Sequence, residues 1–244
     1  MLLNLQINYS LLTIRKRTPI IIGPCGPLPD PLNFTGCPLS TKKRKSAATK
    51  RRLDLIISSY AGDAAPARAA LADSEPSARA SALLALEKLG ELTANELTAA
   101  LSDPDAAVRR RACELAALHP NVPLSQSLED TDAYVIEMAL WSLGEREEPT
   151  DLAVICKIAK EHPESLVREA AVAALGAIGD PRGLDTIFEA LKDRPTVRRR
   201  AAVALAAFDG ETVTEALRLA TRDKDWQTRQ IAEDLLEITE GSAD

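Results

Sequence analysis

Few side chains in this sequence have the type and spacing that chemistry needs. His119 and His162 are its only histidines, and each is followed by proline. That places both in loops, not on one helix face where two imidazoles could share a metal. Cys25 and Cys37 could pair, but their lone twelve-residue spacing is unspecific and lacks the second Cys/His pair of a zinc site. Cys113 and Cys156 fall at apolar helical positions and read as small core residues of a protein kept in a reducing cytoplasm. No Gly-rich phosphate loop, nucleophile elbow or metal-ligand motif appears, so no catalytic residue, metal or cofactor is expected. What remains suits binding: Trp141, Trp226, Arg109-Arg110-Arg111 and Arg198-Arg199-Arg200.

The elements that position these residues recur. One helical phrase returns six times, anchored at Ala78-Arg79, Val108-Arg109, Val135-Ile136, Val167-Arg168, Val197-Arg198 and Thr228-Arg229, in steps of 30, 27, 32, 30 and 31 residues. Four residues after each anchor comes an alanine: Ala82, Ala112, Ala139, Ala171, Ala201 and Ala232. Eight after it come Leu86, Ala116, Leu143, Leu175, Leu205 and Leu236. A helix turns once per 3.6 residues, so these three offsets share a face, and that face is core. A fixed period of this length marks a solenoid of helical hairpins. Aromatics at 3% and hydrophobics at 45% agree, since alanine and leucine must fill the core.

Acidic residues lead into each anchor helix. Three before the anchor stand Glu75, Asp105, Asp132, Glu164, Arg194 and Asp225, positions from which a carboxylate can cap free backbone N–H groups. Five before it stand Asp73, Asp103, Asp130, His162, Lys192 and Asp223. Arginine follows the anchor in five of six copies, so Arg79, Arg109, Arg168, Arg198 and Arg229 with Asp103, Asp130 and Asp223 suggest a structural ladder of ion pairs between repeats. Ile136 interrupts it in the third copy.

The partner helices show in Thr93-Ala94-Asn95-Glu96 and Thr212-Val213-Thr214-Glu215, both capping-box patterns. Thr150 is expected to open a third and Gly183 a fourth running to Leu191. Gly90, Gly144, Gly179 and Gly210 read as C-terminal caps of anchor helices. His119-Pro120-Asn121-Val122-Pro123 falls in the shortest step, where two prolines leave room for only a stunted helix and an irregular joint.

The beginning of the chain does not follow the pattern. Residues 1–46 lack alanine, and residues 1–52 hold ten Lys/Arg against the single acid Asp30. The remainder carries 20 Lys/Arg against 35 Asp/Glu, a net −15 within the whole-chain −6. Residues 1–46 read as a disordered or extended basic, proline-rich tail, or as a start assigned upstream of the true one, with a tail attracted to nucleic acid or membrane as the alternative, and residues 47–244 as the solenoid. Arg15-Lys16-Arg17 precedes only a short isoleucine-rich run with no small-residue cleavage site, which argues against a signal peptide. Pro24 before Cys25 argues against a lipoprotein. No apolar run reaches the roughly 20 residues of a membrane span, so no membrane partner is expected.

Asp103-Pro-Asp-Ala-Ala-Val-Arg-Arg-Arg-Ala112 and Pro163-Glu-Ser-Leu-Val-Arg-Glu-Ala-Ala-Val-Ala-Ala-Leu-Gly176 resemble the HEAT-like repeats of phycobilisome lyases and many bacterial scaffold proteins. The resemblance covers residues from about 60 to 240. It implies an all-α protein: a right-handed α-solenoid of about six HEAT-like hairpins, an armadillo-type superhelix whose second helices line the concave side. It implies function poorly, because such repeats serve many roles. Deoxyhypusine hydroxylases, built on similar repeats, hold iron with repeated His-Glu pairs, and two loop histidines cannot supply that cluster. DNA glycosylases of HEAT-like architecture use a basic face and tryptophans, whereas this repeat region is acidic and almost lacks aromatics, so nucleic acid is not the expected partner. A bilin lyase or chaperone would need a sizeable pocket that nothing here specifies.

Where a partner would bind is set by the variable offsets. Two after the anchor come Ala80, Arg110, Glu137, Glu169, Arg199 and Gln230; six after it come Leu84, Glu114, Trp141, Ala173, Val203 and Asp234. This stripe is left to solvent once the core face is assigned. Arg110, Glu114, Glu137, Trp141, Glu169, Arg199, Gln230 and Asp234 are therefore the candidate partner-binding residues, with tryptophan and arginine the commonest binding hot spots. Arg110–Glu114 and Gln230–Asp234 could equally be ordinary i,i+4 surface pairs. The function expected is that of a cytoplasmic, non-catalytic scaffold or adaptor holding a protein partner, with the lyase or chaperone and the glycosylase as alternatives.

Overall fold

The thirty-residue period becomes a stack of six hairpins. The structure, a computed structural model, describes residues 62–241 together with Lys50, Leu53 and Ile57; the expected tail lies outside the described residues. In order these are α1 (Ala65–Ala70) with α2 (Pro76–Leu89), and α3 (Ala94–Ala100) with α4 (Ala106–Ala116). A 3-10 turn at Ser125–Glu129 precedes α5 (Ala133–Glu145), followed by α6 (Leu152–Glu161) with α7 (Ser165–Ile178). Then come α8 (Leu184–Ala190) with α9 (Pro195–Ala204), and α10 (Glu211–Ala220) with α11 (Trp226–Gly241). Among the described residues there is no strand, and the architecture is an α-solenoid.

Packing follows the periodicity. Anchors and their offset-four alanines are buried in all six copies, and the offset-eight side chains in five; Leu236 of the last hairpin is only half-buried. Successive anchor helices α4, α5, α7, α9 and α11 pack on one another, so the core is one continuous strip. Each fully buried leucine on it, such as Leu86, Leu143 or Leu175, contributes roughly 1.5–3 kcal/mol of apolar burial.

Two glycines let successive anchor helices approach closely. Gly144 and Gly176 both stand nine after their anchors, facing the next anchor helix. A Cβ on Gly144 would lie 3.3 Å from Ala174 Cα and from Ala177 Cβ. A Cβ on Gly176 would lie 2.7 Å from Ala204 Cβ and 2.8 Å from Ala204 Cα. Gly144 is therefore a packing residue inside α5, not its cap; the cap is Arg146, in right-handed geometry. Gly90 and Gly179 are left-handed caps at φ 69° and 66°, a conformation that costs glycine least. Gly210 caps the start of α10 instead of the end of α9.

Helix starts differ from the sequence expectation in detail. Thr93 and Glu96 form the full capping box of α3. Thr212 lies inside α10, which opens at Glu211 without a side-chain cap, and Thr150 bonds Glu148 while α6 starts after Asp151. Asp105, Asp132 and Asp225 accept backbone N–H groups at the starts of α4, α5 and α11. Glu75, Glu164 and Arg194 make no such bond. Glutamate is one methylene longer than the aspartate that fits this reach.

At the shortest step the first helix of hairpin three is replaced by the 3-10 turn, and Val122, Leu124 and Leu128 fill its share of the core. Cys113 is buried there, which pushes its thiol up to about 11 and keeps it unreactive.

Candidate partner-binding face

Two systems of polar side chains run along the anchor helices, a ladder of largely buried arginine–aspartate pairs between repeats and the more variable stripe beside it. In the first, Arg79 Nε and Nη2 donate to Asp103 at 2.7 and 2.6 Å, and Arg109 donates to Asp130 at 2.6 and 2.8 Å. Arg168 grips Asp193 at 2.7 and 2.7 Å, and Arg198 grips Asp223 at 2.8 and 2.8 Å. Each Nη1 turns back to a carbonyl of its own hairpin loop, at Asp73, Asp103, His162 and Asp193. Each aspartate also accepts a backbone N–H, from Asp105, Asp132, Arg194 or Asp225. One guanidinium thus clamps the start of its own helix and the entry to the next.

The aspartates respond accordingly. The Arg109 and Arg168 guanidinium groups hold Asp130 and Asp193 below the ordinary carboxylate value, against the opposing effect of burial. At Asp103 and Asp223 burial is the largest influence and acts upward, but Arg79 or Arg198 together with a backbone N–H outweighs it, and these too lie low.

Among the described residues Arg229, in the last hairpin, donates to the Asp223 and Lys224 carbonyls and to no carboxylate. Asp193 was missed from sequence because it sits four, not five, residues before its anchor, displacing Lys192 from the register. Between hairpins three and four both members change: Ile136 takes the arginine position and is buried, while His162 takes the aspartate position and accepts the Glu164 N–H at 3.2 Å. The close apolar contact at Gly144 spans that interface instead. Arg146 was also missed. Only 3% exposed, it donates to the Ala116 and His119 carbonyls and so ties the end of α5 to the end of α4. It lies outside the repeated offsets, which left no periodic signal for it.

The second system is the stripe expected to face solvent, of which Arg110, Trp141, Gln230 and Asp234 are exposed while Glu114, Glu137, Glu169 and Arg199 are half-buried. Arg110 is exposed and lies over the Tyr134 ring, 5.9 Å from its centroid. Glu114 pairs with Arg111 at 2.5 Å, Glu169 with Arg200 at 3.4 Å, and Arg199 with Asp225 at 2.9 Å. Gln230 donates to Asp234 at 2.8 Å on the exposed side of α11. Arg110 and Glu114, the i,i+4 pair weighed from sequence, are not paired with each other: Glu114 takes Arg111 instead. Glu137 is half-buried one turn before Trp141, which is 37% exposed. Sequence reading passed over Tyr134, 57% exposed, and Leu118, 68% exposed. Tyr134 stands seven residues before Trp141, two turns along the same face, and that spacing was the available signal.

Among the described residues no His/Cys/Asp/Glu group is arranged to hold a metal, and no helix is long and apolar enough to cross a membrane.

The family model for HEAT repeats matches residues 94–175, 121–196 and 152–237, together more than half of the chain. No curated protein matches. Among solved structures, an engineered protein from a structural genomics consortium is similar at 19% identity with a TM-score of 0.51, covering 73% of this chain and 97% of that one. That likeness shows the fold alone. Human deoxyhypusine hydroxylase in complex with glycerol is similar at 18% identity with a TM-score of 0.43, over 81% of this chain and 82% of that one, too distant to bear on chemistry. With the repeats matched across the second to sixth hairpins, more than half of its length, the chain belongs to the HEAT-repeat family.

Proposed function

We propose that this protein is a non-catalytic scaffold that holds another protein on the exposed face of its anchor helices. The observation that carries the reading is Trp141, 37% exposed in the middle hairpins with Tyr134 two turns before it on the same helix. Exposing indole surface to water is unfavourable, and aromatic anchors beside arginine are the usual hot spots of interfaces. Stacked helical repeats present such faces as extended concave surfaces. Arg110, Glu114, Glu137, Glu169, Arg199, Gln230 and Asp234 are the proposed contacts around that anchor. The reading places the protein in a reducing cytoplasm, where Cys113 and Cys156 stay free. The finer resemblance to the phycobilisome-lyase type of repeat belongs to the same proposal and rests on residues 103–112 and 163–176.

The experiment is affinity capture from source-cell lysate with the full chain beside Arg110→Glu/Trp141→Ala. One protein retained in stoichiometric amount by the wild type and lost by the folded double variant supports the scaffold. Pigment or nucleic acid retained in its place, or equal retention by both chains, rejects it.

A further inference from the structure

The charges around Trp141 are unevenly satisfied. The stripe arginines and their neighbours are engaged: Arg110 by the Tyr134 ring, Arg199 by Asp225, and beside them Arg111 by Glu114 and Arg200 by Glu169. One turn beyond Trp141 on the same helix stands Glu145, exposed and without an ion pair among the described residues. Residues four apart on a helix lie within reach of one ligand group, about 5–6 Å between Cβ atoms. Glu147 follows, also exposed and without an ion pair, at the end of α5 where the helix carbonyls add negative potential. Burial, and then Glu147, push the Glu145 carboxyl upward, so an incoming positive charge would relieve it. An aromatic face beside an uncompensated carboxylate is the environment that attracts a guanidinium or ammonium.

We infer that Trp141 and Glu145 form a receptor for a cationic side chain on a basic segment of the protein partner. The inference rests on the partner face proposed above and deepens it by naming the chemistry of the occupant. Charge complementarity extends beyond the two residues, since residues 53–244 carry 20 Lys/Arg against 35 Asp/Glu. A basic segment is drawn to the acidic protein at long range and anchored by the Trp141 indole and the Glu145 carboxylate.

The test is selection of a displayed library of random peptides, roughly twelve residues long, on the full chain. Individual winners are then titrated against the wild type, Trp141→Ala, Glu145→Gln and Glu145→Arg, each checked for helicity by circular dichroism. Winners should carry arginine or lysine and lose about tenfold in affinity or more on Trp141→Ala and on Glu145→Arg. Replacing the key arginine of a winner by glutamate should restore part of its binding to Glu145→Arg. Trp141-dependent winners without a basic residue would overturn the cationic receptor and leave the partner face standing. Winners indifferent to both positions, or no winners, would remove both. Glu145 is exposed, so its variants keep the test if Trp141→Ala does not fold.

Discussion

Arg109 and Asp130 join the second hairpin to the third through two parallel bonds of 2.6 and 2.8 Å, while Arg109 Nη1 holds the Asp103 carbonyl of its own hairpin at 2.9 Å. Both side chains are largely buried, so neither water nor another side chain readily replaces the lost partner. Arg109→Leu should therefore destabilise the protein by about 2–4 kcal/mol in urea unfolding, because the aspartate stays behind uncompensated. A change below about 0.5 kcal/mol would show that the clamp is ornamental.

Acid should loosen the ladder in a definite direction. The folded Asp103, Asp130, Asp193 and Asp223 all lie below the ordinary value of 3.8. The stability they contribute is fully present above that value and is lost as pH falls through the lower folded values. Melting temperature should thus hold steady from neutral pH to about 5 and drop below about 4. With Asp130→Asn the drop should be shallower, since one linked proton has been removed. An acid limb unchanged by that substitution would place its origin elsewhere.

Gly176→Ala sets two effects against each other. Alanine favours a helix interior by about 1 kcal/mol over glycine. The added Cβ, however, would meet Ala204 Cα at 2.8 Å, and backbone cannot swing aside as a long side chain can. The clash should win, giving a net loss of about 1–3 kcal/mol in thermal or urea unfolding. A stabilised variant would mean that α7 and α9 slide apart freely.

Arg146→Met removes a buried guanidinium and leaves the Ala116 and His119 carbonyls without its three hydrogen bonds. A loss of about 2–3 kcal/mol is expected, concentrated at the irregular joint. Hydrogen exchange should report it as faster exchange in α4 and the Ser125–Glu129 turn, with α9 to α11 unaffected.

Leu140 and Trp141 are neighbours with opposite roles. Leu140 is fully buried, so Leu140→Ala should cost about 2–5 kcal/mol. Trp141→Ala should cost less than about 1 kcal/mol and act on binding instead. Equal losses at both positions would make Trp141 a core residue and remove the partner face.

The sequence was informative wherever a residue type recurs at a fixed offset. Val108, Ala112 and Ala116 declare a buried face because the helix turn returns them to one side, and six copies leave little doubt about the stack. The same regularity exposes the Arg79 and Asp103 positions, and their loss at Ile136 and His162. Loop length is what shifted Asp193 by one place. A carboxylate needs only to reach its guanidinium in space, and counting along the chain does not measure that distance.

Residues used once left no trace of their role. Arg146 closes a joint whose geometry follows from two prolines and a missing helix, and Gly144 looks like a cap until α7 is packed against it. The exposure of Trp141 and Tyr134, and the engagement of every stripe arginine while Glu145 stays unpaired, depend on which hairpin stands beside which. Sequence alone determined the repeating helix and its core face, because those follow from local periodicity, and its repeat phrases carried the resemblance to the family. Tertiary structure alone decided which charges cancel and which surface remains unsatisfied, because neutralisation and burial are properties of neighbours brought together from about thirty residues away.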